Sequence, residues 1–203
     1  MIELILGGAR SGKSRWAENR IIENTTPEQT RYYIATAQAY DKEMQCRIDK
    51  HQTDRNRSNT HKPWSLIEEP LKLASVLNNI ANDYHEAMKV TKNPNMPAPA
   101  ILIDCLTLWL TNCLCADNID WPTYKAAFIQ ALVNSPCHIV LVSNEVGHGI
   151  VPLGELSRQF VDEAGWLHQD IAQHASQVDF IMAGLPLTLK GENLNRRSAE
   201  DHQ

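Results

Sequence analysis

The stretch that most limits what this chain can become is a short β-rich run, Ile2 to Leu6, leading directly into Gly7-Gly8-Ala9-Arg10-Ser11-Gly12-Lys13-Ser14. The second part fits G-x-x-x-x-G-K-[ST]. It stands after a strand and before the helical periodicity of Ser14 to Asn24, which is the placement the pattern requires. Glycines let the backbone curl so that its N–H groups converge on phosphate oxygens, and the following helix adds the positive end of its dipole. In such a loop Lys13 bridges the β and γ phosphates of a nucleotide and the Ser14 hydroxyl ligates Mg²⁺. The alternative is a chance glycine-rich turn.

A loop of this kind needs an α/β scaffold, and the rest of the chain supplies one. Strands are expected at Arg31 to Ala35, weakly at Trp64 to Glu68, and at Ala100 to Asp104, His138 to Ser143 and Asp179 to Ala183, with Leu187 to Lys190 as a possible edge. Helices are expected at Lys42 to Arg57, Leu71 to Met88, Leu106 to Ala116, Thr123 to Asn134 and Leu156 to Ala175. The continuous apolar runs Ile101-Leu102-Ile103 and Ile139-Val140-Leu141-Val142 suit parallel strands covered on both faces. The class is therefore α/β, a doubly wound sheet. With 203 residues, 43% of them hydrophobic, one substantial core is expected over 1–190, followed by a polar, disordered tail over 191–203. The proline-rich run 91–99 reads as a surface connection.

A formal net charge of −5 argues against a general nucleic-acid binder, which needs excess basic residues to neutralise phosphates. No stretch approaches a membrane-spanning length, and the N-terminus has no basic lead of a signal peptide. Five cysteines show no metal-ligand spacing and make a poor disulfide framework, so they read as reduced, in a cytoplasmic protein.

A Mg²⁺ site also calls for a carboxylate at the end of a buried strand, and Asp104 closes Ile101-Leu102-Ile103. The same Asp104 also fits an N-cap of the next helix. After His138 to Ser143 come Asn144-Glu145-Val146-Gly147-His148-Gly149, polar residues at a strand end where open α/β sheets bind ligands; a solvated loop fits as well. In a helix over 42–57, Arg47, His51 and Arg55 fall at i, i+4 and i+8 and share one face. Flanking guanidiniums disfavour the protonated ring and leave His51 as a nucleophile for a nucleotide α-phosphate. A solvated surface histidine is the plainer reading.

Taken together, ILGGARSGKSRWAE, YIATAQAYDKEMQCRIDKHQ, ILIDCLTLWLTN, VLVSNEVGHGIVP and LSRQFVDEAGWLHQDIA resemble, in order, the blocks of the bifunctional adenosylcobinamide kinase and adenosylcobinamide-phosphate guanylyltransferase family of adenosylcobalamin biosynthesis. The resemblance spans about residues 2–185. It implies a RecA-like P-loop fold and a two-step enzyme. That enzyme phosphorylates adenosylcobinamide with ATP or GTP, then transfers GMP from GTP to the phosphate through a guanylyl-histidine. The histidine of the RI-x-x-H motif is His51 here, and Lys13 joins it as a catalytic residue. Nucleotide contacts carry over to Gly7, Gly8, Ala9, Arg10, Ser11, Gly12, Lys13 and Ser14, to Ala35, Thr36 and Ala37, and to Arg55, Glu68 and Asp104. Ser14 and Asp104 are the implied Mg²⁺ ligands, and homotrimeric assembly is implied as well. Many relatives carry His-His where this chain has Lys50-His51, and the stretch 52–62 is longer than usual. Two other readings fit the phosphate loop: a kinase of another small alcohol, and a regulatory nucleotide-binding switch.

Overall fold

The computed structural model describes residues 1–26, 28–37, 64–150 and 153–192. The helix expected over 42–57, with Arg47, His51 and Arg55, lies outside the described residues, as does the tail from 193 onward.

Seven strands form one sheet: β1 (Ile2–Gly7), β2 (Arg31–Ala35), β3 (Ser65–Glu68), β4 (Ala100–Asp104), β5 (His138–Asn144), β6 (Gln177–Met182) and β7 (Leu185–Lys190). Their spatial order is β3-β2-β4-β5-β1-β6-β7. All neighbouring pairs run parallel except β6 and β7. Among the described residues five helices accompany them: α1 (Lys13–Glu23), α2 (Leu73–Thr91), α3 (Leu106–Leu114), α4 (Trp121–Asn134) and α5 (Glu155–His174). The α/β class and mostly parallel sheet expected from the sequence are what is found.

Two differences have physical causes. β6 begins at Gln177, two residues before the expected start, because the polar Gln177 and Asp179 are both buried on one face of it, where the Gln177 amide donates to Asp179 at 2.9 Å. The last strand is a full antiparallel edge from Leu185, joined to β6 by a tight turn in which Ala183 and Gly184 have φ of 53° and 80°.

The pleat sorts β1 by face. Leu4 and Leu6 join a core with Ile101, Ile103, Ile139 and Leu141 from the sheet and Leu77, Trp109, Phe128, Leu167 and Ile171 from α2 to α5. Each such fully buried aliphatic side chain contributes about 1.5–3 kcal/mol. The Trp109 ring packs against Trp121 and Phe128 with centroids 5.2 and 4.6 Å away, and its indole N–H donates to the Leu71 carbonyl. On the opposite face Ile5 packs with Leu102, Val140 and Val142 against Ala17 and Ile21 of α1. Glu3 lies on that second face, fully buried. Arg20 of α1 grips it with two hydrogen bonds of 2.9 Å, and His138 of β5 stands 2.8 Å away. This ion pair fastens the helix that follows the glycine loop to the strand that precedes it.

Candidate active site

Between β1 and α1 the chain makes the turn that the glycine pattern demands. Gly12 has φ of 95°, a conformation L side chains rarely adopt, and it caps α1 with its carbonyl accepting from Trp16 N–H. At Gly7 an added Cβ would stand 2.6 Å from the Ile181 carbonyl and 2.7 Å from Ser11 Oγ, so only glycine fits between β1 and β6. The loop is tied by Ser11 N–H to Gly8 O and by Gly184 N–H to Ser11 O. Lys13 is buried, and its ammonium donates to Gly8 O at 3.1 Å, folding the side chain back over the loop. Gly8, Ala9 and Arg10 are exposed along the rim.

Asp104 lies at the carboxyl end of β4, with β5 between it and β1. Its Oδ2 accepts from the Tyr33 hydroxyl at 3.0 Å. The N-cap of α3 is Cys105, with no side-chain cap bond, which removes the capping alternative for Asp104. The Cys105 thiol registers what lies around it. Burial first, and then the negative charge of Asp104, push it up to about 11, while the charge of Lys13 pulls the other way. Lys13 follows the end of β1 and Asp104 closes β4, the two strands on either side of β5. They present a cation and an anion at the same end of the sheet.

Thr36, just beyond β2, is fully buried. Its hydroxyl accepts from Cys105 N–H and donates to Cys105 O, and its carbonyl accepts from Asn112. That hydroxyl braces the chain after Asp104. Ala35 O accepts from Glu69 N–H, Ala37 is half-buried, and Glu68 is exposed at the end of β3. The structure thus gathers residues 7–14 and Asp104 with the ends of β1, β4 and β5. Glu68 is four strands from β1, about 19 Å at the usual spacing. His51 and Arg55 lie outside the described residues.

Reading the sequence alone did not single out Tyr33 or His168. His168 projects from α5 and is buried, with Nε2 2.7 Å from Ser143 Oγ. Its Nδ1 is 3.6 Å from Glu145 Oε2, near enough to feel that carboxylate but beyond hydrogen-bond range. Burial lowers the His168 pKa, against a smaller opposing pull from Glu145. The available signal was a lone histidine on the apolar stripe Ala164, Leu167, Ile171 of a helix.

The family model described as cobinamide kinase / cobinamide phosphate guanyltransferase matches residues 3–189. The chain belongs to this family. It is 50% identical over 195 residues to the bifunctional adenosylcobalamin biosynthesis protein CobP of Pseudomonas aeruginosa, covering 96% of this chain and all of that protein. It is also 34% identical to the bifunctional adenosylcobalamin biosynthesis proteins CobU of Escherichia coli and Salmonella typhimurium, covering 94% of this chain and all of each relative. As a member of the cobinamide kinase / guanyltransferase family, the chain is an enzyme of cobalamin biosynthesis with kinase and nucleotidyltransferase activities that use nucleotides as substrates. Among the described residues, no helix is long and apolar enough to cross a membrane.

Proposed function

We propose that this enzyme phosphorylates the hydroxyl of adenosylcobinamide with ATP or GTP, and then transfers GMP from GTP to the new phosphate through a guanylyl intermediate on His51. The observation that carries the reading is the glycine turn of residues 7–14, with buried Lys13 after β1 and Asp104 at the end of β4, on either side of β5. Backbone amides of 7–14 hold the phosphates, and Lys13 leaves Gly8 O to meet the β and γ oxygens. In the second step a ring nitrogen of His51 attacks the α-phosphorus of GTP and pyrophosphate leaves. A phosphate oxygen of the corrinoid then attacks the same phosphorus, and His51 is regenerated. Arg55, Ala35, Thr36, Ala37 and Glu68 complete the nucleotide contacts in this reading.

The donor set suits Mg²⁺. Ser14 and Asp104 offer a hydroxyl and a carboxylate, both hard oxygen donors. Ser14 and Asp104 would hold the ion, and phosphate oxygens and water would complete its shell, as is usual for Mg²⁺. Bound there, the ion would neutralise charge on the phosphoryl oxygens. In the same reading the enzyme works in the cytoplasm as a homotrimer, and sedimentation equilibrium tests the trimer.

The deciding experiment incubates wild type and His51→Ala with Mg²⁺ and GTP labelled at the α-phosphate. Acid-labile label held by the wild type and lost in the variant is the expected result. A folded wild type that takes no label overturns the guanylyl-histidine step and leaves a kinase.

A further inference from the structure

We propose that Glu145 is the general base of the kinase step and that His168 positions it; this rests on the kinase reading above. Phosphorylation of an alcohol releases a proton at the attacking oxygen, and phosphoryl-transfer enzymes place a carboxylate to orient that hydroxyl and accept the proton. The carboxylates at this end of the sheet differ in what they have already engaged. Asp104 accepts from the Tyr33 hydroxyl and is the carboxylate assigned to the metal. Glu69 Oε1 accepts from both Leu71 N–H and Lys72 N–H at the start of α2. Glu68 is four strands away from β1.

Glu145 also has one oxygen engaged, but of these four it is the one joined to the phosphate loop. The strand Glu145 directly follows, β5, is the immediate neighbour of β1 and lies between β1 and β4. Asn144 pairs with Gly7, and the Glu145 N–H donates to the Gly7 carbonyl at 3.1 Å, so the residue is fixed to the first glycine of the phosphate loop. Its side chain is 21% exposed, open enough for a substrate hydroxyl to reach yet held from the buried side. Oε1 accepts from Gly147 N–H at 2.6 Å. Oε2 is 3.6 Å from Nδ1 of His168, whose side chain is only 8% exposed and whose Nδ1 has no hydrogen-bond partner. In the tautomer where the Ser143 hydroxyl donates to Nε2, the ring hydrogen sits on Nδ1, the nitrogen nearer the Glu145 carboxylate. A carboxylate accepts at about four lone-pair positions, so these contacts orient Glu145 without using up its basicity.

The step balances on these groups. The corrinoid hydroxyl oxygen forms a bond to the γ-phosphorus, the bond from that phosphorus to the bridging oxygen breaks, and the nucleoside diphosphate leaves with the electron pair. The hydroxyl proton passes to the Glu145 carboxylate.

The test is cobinamide-dependent ADP release from Mg²⁺ and ATP, with nucleotide affinity and melting temperature recorded for each variant. Glu145→Gln can still accept from Gly147, and it is expected to lose about 10²- to 10⁴-fold in kcat while nucleotide affinity stays within about threefold. Should that variant fail to fold, Glu145→Asp, which keeps the charge and draws it back by one methylene, is expected to fall between the two. His168→Leu lowers kcat by less than Glu145→Gln. His168→Asn, which keeps an N–H near the place of Nδ1, recovers part of that loss, and neither adds to the defect of Glu145→Gln in a double variant. A folded Glu145→Gln within about threefold of wild-type kcat overturns the inference and leaves the kinase reading standing. A wild type that releases no ADP in response to cobinamide overturns both.

Discussion

On the face of the sheet covered by α2 to α5, a large apolar core runs from Leu4 and Leu6 through Trp109 and Phe128 to Leu167 and Ile171, and the buried polar side chains there, Thr107, Asn112, Ser143 and His168, include no carboxylate, lysine or arginine. On the face that α1 covers, Glu3, His138, Arg31, Gln177 and Asp179 are all buried among the apolar residues. Burial drives Glu3 toward the neutral form. The hydrogen bond from His138 and the charge of Arg20 outweigh it, holding the carboxyl below its usual range. The Asp179 carboxyl goes the other way, raised by burial against a weaker pull from its bond to Gln177. The comparison separates two jobs. An apolar core is non-directional and sets stability, whereas a bidentate ion pair fixes where α1 lies and so where the phosphate loop closes.

The largest effects should show this division. Trp109→Ala removes a ring with two aromatic neighbours and is expected to cost about 3–5 kcal/mol in urea unfolding, with nucleotide affinity per folded molecule kept. Glu3→Ala leaves Arg20 and His138 buried without their partner, and is expected to cost a similar ~3–5 kcal/mol. It should also weaken nucleotide binding, because α1 is no longer held. If Glu3→Ala unfolds no more easily than wild type, the ion pair is incidental and the contrast between the faces is lost. Lys13→Ala should lower kinase kcat by about 10²- to 10³-fold with little change in stability, checked by steady-state kinetics beside a urea titration.

How much of this could be read from the sequence differs by face as well. The strands of the apolar core announced themselves as continuous runs, and the glycine loop was legible because Gly7 and Gly12 are demanded by backbone geometry, through a carbonyl 2.6 Å away and a φ of 95°. Glu3 was invisible as a buried charge, since its partners lie 17 and 135 residues along the chain and no local period links them. Asp104 left two readings, of which the cap at Cys105 removes one, the N-cap. The link from His168 to Ser143 spans 25 residues between a helix and a strand, so each looked like an ordinary core or strand-end residue.

Acid should affect the two faces at different pH. His168, beneath the apolar face, has a pKa lowered by burial from the ordinary 6.5. The unfolded chain therefore takes up that proton first, and the stability it represents is complete above about pH 6.5 and lost as pH falls toward the lowered folded value. Glu3 is also depressed, from 4.5, so its contribution is complete above that value and lost only at lower pH. Asp179 is raised, so its effect has the opposite sign, favouring the folded state as pH falls toward its ordinary 3.8. Urea midpoints against pH should thus begin to fall below about 6.5, with a slope of at most ~1.4 kcal/mol per pH unit for one proton, and His168→Asn should remove that first step alone.

The smallest effect is the most discriminating for the loop itself. A Cβ at Gly8 meets nothing within 4 Å, and its φ is not in the left-handed region, so Gly8→Ala should change stability by no more than about 0.5 kcal/mol. Gly12→Ala must take φ of 95° beside the Gly184 backbone 3.3 Å away, and should cost roughly 1–3 kcal/mol. The fold therefore requires Gly12 and tolerates Ala at Gly8. If Gly8→Ala nevertheless weakens nucleotide binding in calorimetry while the urea midpoint stays put, the empty space over Gly8 is where phosphate approaches the backbone. Unchanged affinity would move that approach further along the loop, toward the amides of 11–14 and the start of α1.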